Sequence, residues 1–277
     1  MKYFKFLILI IILIIGFYFI EEVFMDNKLL FSDILNINNN YKENYVYNGI
    51  EKSLINFDSS NLLSFLDLNV INVIDKKIIK NKIIEFKDPI VYIYNTHEAE
   101  EYKDNYNVKK ASYVLQDDLL KLGIISVVES KSINKELHKR GWTYPWTYDI
   151  SREYLEEEYK KNNSLKYFID FHRDSADRSV TAIEVDGVKY ASVMFILSTA
   201  FNNYKENELN IKKIEKCISD IRPEILRNTY IQEKYYYNLD ISSDSYLIEI
   251  GGPNNTKEEI DNTLNVVALA LYKYIEG

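Results

Sequence analysis

The sequence predicts an α/β domain in which helices flank a mostly parallel central sheet. Short apolar runs rich in Val, Ile, Tyr and Phe recur from Pro89 onward, and such runs are typical of buried strands. Segments with apolar residues at helical spacing alternate with them, which is the pattern of βαβ units. Hydrophobic residues make up 47% of the 277 residues, enough for one sizeable core.

Three of the predicted strands end close to a residue that can bind a metal ion or transfer a proton. An apolar run of strand type precedes His97, another precedes His172, and a third precedes Glu249. Open α/β sheets place their ligand sites at the carboxyl ends of the strands. We therefore expect these three side chains to meet in one polar site at one edge of the sheet.

The remaining elements follow from local signals. Asp186-Gly187 separates two apolar runs and indicates a β-hairpin inserted into the domain. Residues 191–197 continue as a buried strand, and a polar loop is expected around His138, to which we assign no ligand role. Thr256 and Glu259 form a capping-box pattern that opens the last helix. The predicted helices cover residues 108–122, 150–161, 206–221 and 256–275.

Residues 1–22 predict an N-terminal transmembrane helix. Lys2 and Lys5 precede an apolar run over residues 6–20, and two glutamates follow it. The segment approaches the ~20 residues that span a bilayer. The lysines predict an N-terminus in the cytoplasm and the rest of the chain outside, giving a single-pass protein of the cell membrane whose main domain is extracytoplasmic. No small-x-small cleavage site follows, which favours a retained anchor over a signal peptide.

Composition divides the rest of the chain and excludes some functions. Residues 23–87 carry apolar residues at mixed helical spacing and predict a stalk or small helical region, followed by an α/β domain over residues 88–277. The net charge of −8 argues against nucleic acid as a partner. The single cysteine, Cys217, excludes an internal disulfide and a cysteine zinc cage, and its helical context favours core packing.

His97, Glu100 and His172 are the candidate metal ligands. Zinc accepts imidazole nitrogen and carboxylate oxygen, and catalytic zinc sites use three protein ligands and one water. The i,i+3 spacing of His97 and Glu100 would point both at the same ion from one helical turn. Glu249 is then free to act as a general base. A structural hydrogen-bonding role is the alternative for each histidine, and composition does not separate zinc from other metals that accept nitrogen and oxygen.

Charged and aromatic neighbours of these residues have two interpretations each. Arg173 could bind a substrate carboxylate and Asp174 could orient a ligand imidazole, or the two could form a surface ion pair. Trp142, Tyr144 and Trp146 either pack as a surface loop or form one wall of a substrate groove.

Four motifs in this part of the chain are specific in combination. They read Thr-His-Glu-Ala-Glu-Glu-Tyr over residues 96–102, Asp-Phe-His-Arg-Asp-Ser over 170–175, Tyr-Asn-Leu-Asp over 237–240, and Leu-Ile-Glu-Ile-Gly-Gly over 247–252. In order and spacing they resemble the stage II sporulation protein P family, and the resemblance extends from about Pro89 to the C-terminus. The single N-terminal anchor matches the layout of that family.

The resemblance implies a zinc-dependent peptidoglycan hydrolase with the fold of the zinc N-acetylmuramoyl-L-alanine amidases. It implies cleavage of the amide between glycan and stem peptide, endopeptidase activity on cross-links, and action in forespore engulfment with stage II sporulation proteins D and M. By the same resemblance Glu249 is the catalytic acid/base, Asn238 is a candidate for substrate binding, and the zinc ligands are His97, Glu100 and His172.

The chain departs from the family pattern next to one ligand. Glu98 and Glu101 flank Glu100, where the family usually has small or polar residues, so three carboxylates are candidates for one ligand position. A non-catalytic, membrane-anchored protein that binds the cell wall or serves as a scaffold is the alternative function. Such a protein would retain the fold without needing metal.

Overall fold

A computed structural model describes residues 86–277 of the chain. The eight strands of this part are β1 (Val91–Tyr94), β2 (Ser126–Val128), β3 (Tyr167–His172), β4 (Ala182–Val185), β5 (Val188–Ala191), β6 (Val193–Ser198), β7 (Tyr230–Gln232) and β8 (Ser245–Ile250). Its α-helices are α1 (Val108–Lys121), α2 (Ile133–Arg140), α3 (Thr147–Lys161), α4 (Arg178–Thr181), α5 (Tyr204–Ser219) and α6 (Lys257–Glu276). The predicted anchor, residues 1–22, and the predicted stalk up to residue 85 lie outside the described residues.

Six of the strands form one sheet in the order β2-β1-β3-β8-β6-β7. All neighbouring pairs are parallel except β6 and β8, which run antiparallel. The predicted fold class, α/β with a mostly parallel central sheet, is therefore confirmed for the described residues. The antiparallel direction of β6 follows from the hairpin that precedes it, since β4 and β5 reverse the chain before it enters the sheet.

The predicted hairpin is confirmed as a separate two-stranded sheet of β4 and β5. Asp186 and Gly187 connect its strands with φ angles of 54° and 80°. Positive φ at both central residues is the requirement of the type I′ turn, which matches the twist of the strands. An Asp-Gly pair satisfies it because both residues tolerate the left-handed region.

Side chains alternate between the two faces of the sheet along each strand. On β1, Val91 and Ile93 belong to a large apolar cluster that also contains residues of α1, α5 and α6. Tyr92 and Tyr94 point the other way and pack in a smaller cluster with Leu155 of α3. The helices therefore cover both faces, as a buried parallel sheet requires.

The segment around His138 is a helix, so the predicted polar loop is wrong for residues 133–140. Ser132 caps the start of α2 by accepting a hydrogen bond from the backbone of Lys135, and Gly141 ends it in the left-handed conformation. The only buried residues of α2, Ile133 and Leu137, pack on α3. With so few apolar residues the helical pattern is weak in the sequence, and the contact with α3 stabilises it.

Within residues 86–277, no helix has the length and apolar character needed to span a bilayer. The apolar run over residues 6–20, on which the predicted anchor depends, is not among them.

Candidate active site

The three strands predicted to end in functional residues lie side by side. Strands β1, β3 and β8 are neighbours and parallel, so their carboxyl ends share one edge of the sheet. His172 and Glu249 are paired in register across β3 and β8. His97 follows β1 in a turn that the backbone N–H of Glu100 closes by donating to the carbonyl of His97 at 2.9 Å. The expectation of one site at one edge is confirmed.

Two imidazoles and one carboxylate meet at this edge. The rings of His97 and His172 are 5.1 Å apart between centroids and nearly perpendicular. Oε2 of Glu100 lies 3.5 Å from Nδ1 of His172, and it accepts a hydrogen bond from the backbone N–H of Arg173 at 3.0 Å. The structure thus brings together the three residues predicted as metal ligands.

The neighbouring glutamates have other partners. Oε1 of Glu98 accepts hydrogen bonds from the Ser132 hydroxyl at 2.5 Å and from the backbone N–H of Asn134 at 2.9 Å. This carboxylate therefore lies at the N-terminus of α2, where a negative charge is stabilised. Glu101 is exposed, and its backbone forms an isolated bridge with Asn107. Of the three adjacent carboxylates, Glu100 is the one in contact with a histidine.

One ring nitrogen at the centre of the site lacks an ordinary partner. Nδ1 of His97 is buried and has no hydrogen bond within the described part of the chain, whereas Nε2 of His172 lies 2.9 Å from a carboxylate oxygen of Asp170. Buried imidazole nitrogens normally have a partner, and zinc is one that accepts them in the neutral form. The donor types fit a zinc ion, although among residues 86–277 no three His, Cys, Asp or Glu side chains already converge in metal-binding geometry.

Asp170 is a site residue that the sequence analysis missed. It is fully buried, and its Oδ1 lies 2.9 Å from Nε2 of His172, outside hydrogen-bond geometry. Thr96 holds the same carboxylate through its backbone N–H at 2.9 Å and its hydroxyl at 2.7 Å. The signal was present: an aspartate two residues before His172 in an apolar strand shares its face and needs a buried partner.

Charge separates the two histidines. Burial lowers the pKa of His172, but the carboxylates of Asp170 and Glu100 outweigh burial and raise it to about 10. Burial and the neighbouring charge of His172 lower the pKa of His97. In the protein alone the positive charge therefore resides on His172, and His97 is neutral.

Glu249 has the properties of a proton carrier. Burial, and then the negative charge of Asp174, raise its pKa to about 7. No side chain or backbone group among residues 86–277 donates a hydrogen bond to its carboxylate. A carboxyl group with a pKa near neutrality is matched to proton transfer at neutral pH.

Glycines bring the loops after β3 and β8 close together. The backbone N–H of Asp174 donates to the carbonyl of Gly251 at 2.8 Å. A Cβ atom on Gly252 would lie 2.5 Å from the carbonyl oxygen of Ala176, closer than real contacts allow. The Gly-Gly pair after Glu249 is therefore required by backbone packing beside the site.

The other predicted site residues make structural contacts. The carboxylate of Asp174 pairs with Arg227 and accepts from the backbone N–H of Ala176, while the contact with His172 comes from Asp170 instead. Arg173 donates through Nη1 to the carbonyl of Asp174 at 3.0 Å, and its Nε is buried without a partner among the described residues.

Asn238 is buried and joins the loop after β7 to helix α3. Its Nδ2 donates to the carbonyl of Tyr148 at 3.2 Å and to the Ser151 hydroxyl at 2.9 Å. The Ser151 hydroxyl lies 2.9 Å from the hydroxyl of Thr96, whose proton is donated to Asp170. Asn238 is thus connected to the histidines through a buried polar network.

Residues 36–272 match the sequence profile of the family described as Stage II sporulation protein P. The chain belongs to this family. The resemblance read from the four motifs is therefore confirmed. A member of the family, the Stage II sporulation protein P of Bacillus subtilis (strain 168), is 28% identical over 197 residues. The match covers 65% of this chain and 49% of the relative, so the chain spans about half the length of the curated relative that it matches.

Several solved structures show weak similarity to this chain. The CwlD amidase from Clostridioides difficile, solved in complex with the GerS lipoprotein, is 16% identical with a TM-score of 0.46, covering 68% of this chain and 98% of the amidase chain. An N-acetylmuramoyl-L-alanine amidase of Nostoc punctiforme is 13% identical with a TM-score of 0.43, and the match covers 68% of this chain and 98% of the amidase chain. A metallo-carboxypeptidase from Burkholderia cenocepacia is 10% identical with a TM-score of 0.40, and the match covers 70% of this chain and 58% of the carboxypeptidase chain.

Proposed function

We propose that this chain is a zinc-dependent peptidoglycan hydrolase that cleaves the N-acetylmuramoyl-L-alanine amide and, secondarily, peptide cross-links. One observation carries the proposal: His172 and Glu249 are paired in register at a sheet edge where His97 and Glu100 also lie. Two nitrogen donors, one oxygen donor and a carboxylate of raised pKa are the groups that metal-assisted hydrolysis of an amide uses.

His97, Glu100 and His172 would hold the ion. Bound there, zinc would polarise the amide carbonyl and lower the pKa of water toward ~7. The buried Nδ1 of His97, which has no partner among the described residues, supports this assignment. Asp170, clamped by Thr96, would fix the orientation of His172, as carboxylates behind metal-binding imidazoles do.

Glu249 would move the proton. Its carboxylate accepts a proton from the attacking water and then donates it to the nitrogen of the departing amine. In the metal-free protein the pKa of Glu249 is raised to about 7, which supports this role because a carboxyl group in that range both accepts and donates a proton at neutral pH.

Membership of the family supports a role in sporulation, and we propose that the activity serves forespore engulfment together with stage II sporulation proteins D and M.

The apolar run at residues 6–20 supports a single-pass anchor in the cell membrane with the hydrolase domain outside. An alkaline phosphatase fusion to the C-terminus should then be active. An inactive fusion, together with an active cytoplasmic reporter at the same position, would reverse this topology.

The activity is tested by incubating the purified full-length chain, in detergent with zinc, with intact peptidoglycan and identifying the products by mass. Amidase activity releases stem peptides with a free N-terminal alanine and leaves the glycan intact. Endopeptidase activity releases glycan-linked fragments with cut cross-links. Binding without any product would favour the alternative, a non-catalytic wall-binding protein.

The ligand assignment has a matched pair of variants. Glu100→Gln should lose zinc, because a three-ligand site tolerates the loss of one ligand poorly. Glu101→Gln changes an exposed neighbour and should retain full zinc content by mass spectrometry. The reverse result would move the ligand position to Glu101.

A further inference from the structure

A row of aromatic rings begins at the candidate active site and ends on the surface. The ring of His97 lies against Tyr144 at 4.5 Å, nearly parallel, and contacts the ring of Tyr148 at 5.4 Å. Tyr148 packs on Tyr237 at 5.1 Å, and Tyr237 packs on Tyr235 at 5.9 Å. We call these four tyrosines the aromatic row. It starts in direct contact with a proposed zinc ligand.

Both ends of the aromatic row are open to solvent. Tyr144 is 64% exposed and Tyr235 is 60% exposed. Trp146, two residues after Tyr144, and Tyr236, next to Tyr235, are also about half exposed. Single exposed apolar residues need no explanation, but a cluster of large rings beside a polar site marks a ligand-binding surface.

The backbone holds the two halves of the row together. Tyr237 and Asn238 have φ angles of 53° and 57°, a left-handed conformation that costs free energy for residues other than glycine. Asn238 then donates to the carbonyl of Tyr148 and to Ser151 on α3. These bonds tie the loop after β7 to the segment that carries Tyr148, so the row is fixed in place.

The chemistry of the row suits a sugar. Sugar rings present faces of C–H groups, which carry partial positive charge and pack well on the electron-rich face of an aromatic ring. Tyrosine hydroxyls add hydrogen-bonding groups at the ring edges, and the Tyr237 hydroxyl is already within 3.4 Å of the Gln232 amide. Several neighbouring rings offer contacts to more than one sugar, which suits a polymer of sugars better than one compact ligand.

We propose that the aromatic row binds the glycan strand, with successive sugar rings lying along Tyr144, Tyr237 and Tyr235. The inference rests on the proposed function, since it names the part of the peptidoglycan that this surface recognises. It also gives Asn238 a role: the residue positions the row and does not itself contact the substrate.

The test measures binding without turnover. The probe is a peptide-free oligosaccharide of alternating N-acetylglucosamine and N-acetylmuramic acid, titrated calorimetrically into the full-length chain in detergent. Tyr235→Ala should weaken its binding roughly 2- to 12-fold, the range expected for one lost ring contact. Tyr113→Ala removes an exposed tyrosine on α1, outside the row, and should leave the affinity unchanged.

Three results would overturn the inference. The first is a wild-type chain that does not bind the oligosaccharide, and the second is a Tyr235→Ala variant that binds it as the Tyr113→Ala variant does. The third is an equal loss of affinity of the Tyr235→Ala variant for free stem peptide, which would make the row a peptide surface. A failure of the proposed hydrolase is distinguishable, because the chain would then bind saccharide in this assay and release no product from peptidoglycan.

Discussion

The two faces of the central sheet are built from the same strands and differ in what they do. One face lies under α1, α5 and α6 and carries a single continuous apolar cluster. The other face carries two small separate clusters, one of which includes Leu155 of α3, together with Asp170, His172 and Glu249. Because side chains alternate along a strand, Phe171 and Ile248 contribute to the core while their immediate neighbours form the site. Residues that stabilise the core and residues that form the site therefore alternate along the same strand, rather than lying in separate domains.

The sharpest test of this separation is Glu249→Gln, which changes the site face alone. Hydrolysis should fall by roughly 10²–10⁴-fold, the usual cost of a lost general acid/base. Zinc content and melting temperature should remain near the wild type, since the substitution keeps the shape. Product release from peptidoglycan, metal content and thermal unfolding measure the three properties. A large loss of zinc would make Glu249 a ligand, and unchanged hydrolysis would remove it from the mechanism.

The opposite change is Ile248→Ala, one residue earlier on the same strand. It removes a buried side chain from the apolar face, where Ile248 also borders a small void lined by Leu115 and Phe195. The free energy of unfolding should fall by about 2–5 kcal/mol. Denaturant unfolding measures this, and the folded fraction should keep its zinc content. Equal damage to zinc binding would show that the two faces are coupled.

A smaller effect is expected from the residue behind the proposed ligand. Asp170→Asn removes the negative charge next to His172 and should weaken zinc binding by about 10- to 100-fold. Asp174→Asn is the matched control, because that carboxylate pairs with Arg227. Competition with a chelator measures both affinities. Equal losses of zinc affinity in the two variants would support the role that the sequence predicted for Asp174, which is to orient a ligand imidazole.

The smallest expected effect comes from Glu259, a charged residue that contributes to the stability of the fold. Glu259 is buried, and although burial raises its pKa, hydrogen bonds from Arg178, the backbone of Thr256 and Asn255 lower it below the ordinary value. A depressed pKa contributes stability above the unfolded value of ~4.3, and the contribution is lost as the pH falls through the folded pKa.

Glu259→Gln should therefore lower the free energy of unfolding by about 1–3 kcal/mol at pH 7. The difference from the wild type should shrink as the pH falls below ~4.3 and through the folded pKa, because the wild-type carboxyl group then becomes neutral, as the amide already is. Glu258→Gln, at an exposed position in the same turn, is the control. Denaturant unfolding at several pH values measures the effect, and a difference that persists at low pH would assign the loss to shape rather than charge.

Much of this fold is predictable because its signals are local. The Asp-Gly turn, the capping box before α6 and the apolar strands that end at His172 and Glu249 each depend on neighbours in the sequence. Helix α2 was missed because its stability comes from packing on α3. That omission had a consequence for the site: the N-terminus of α2 is what engages Glu98, so spacing alone left three glutamates as candidates beside His97.

Asp170 could not be assigned for a related reason. An aspartate in an apolar strand signals a buried partner, but the partner is Thr96, distant in the sequence and close only after β1 and β3 pair. The aromatic row likewise joins residues before α3 to residues after β7. The sequence shows which residue types can do the chemistry, and pairing of the strands decides which of them meet.

The register of β3 and β8 limits where residues can be inserted into the chain or deleted from it. Loops at the ends of the strands can gain or lose residues while the sheet stays intact. Within β8 a single deletion before Glu249 would turn every following side chain to the opposite face, placing the carboxylate among the apolar side chains that pack under α6 and an isoleucine at the site. The interior of these strands is therefore closed to insertions and deletions, and new substrate preferences can be gained only at their ends.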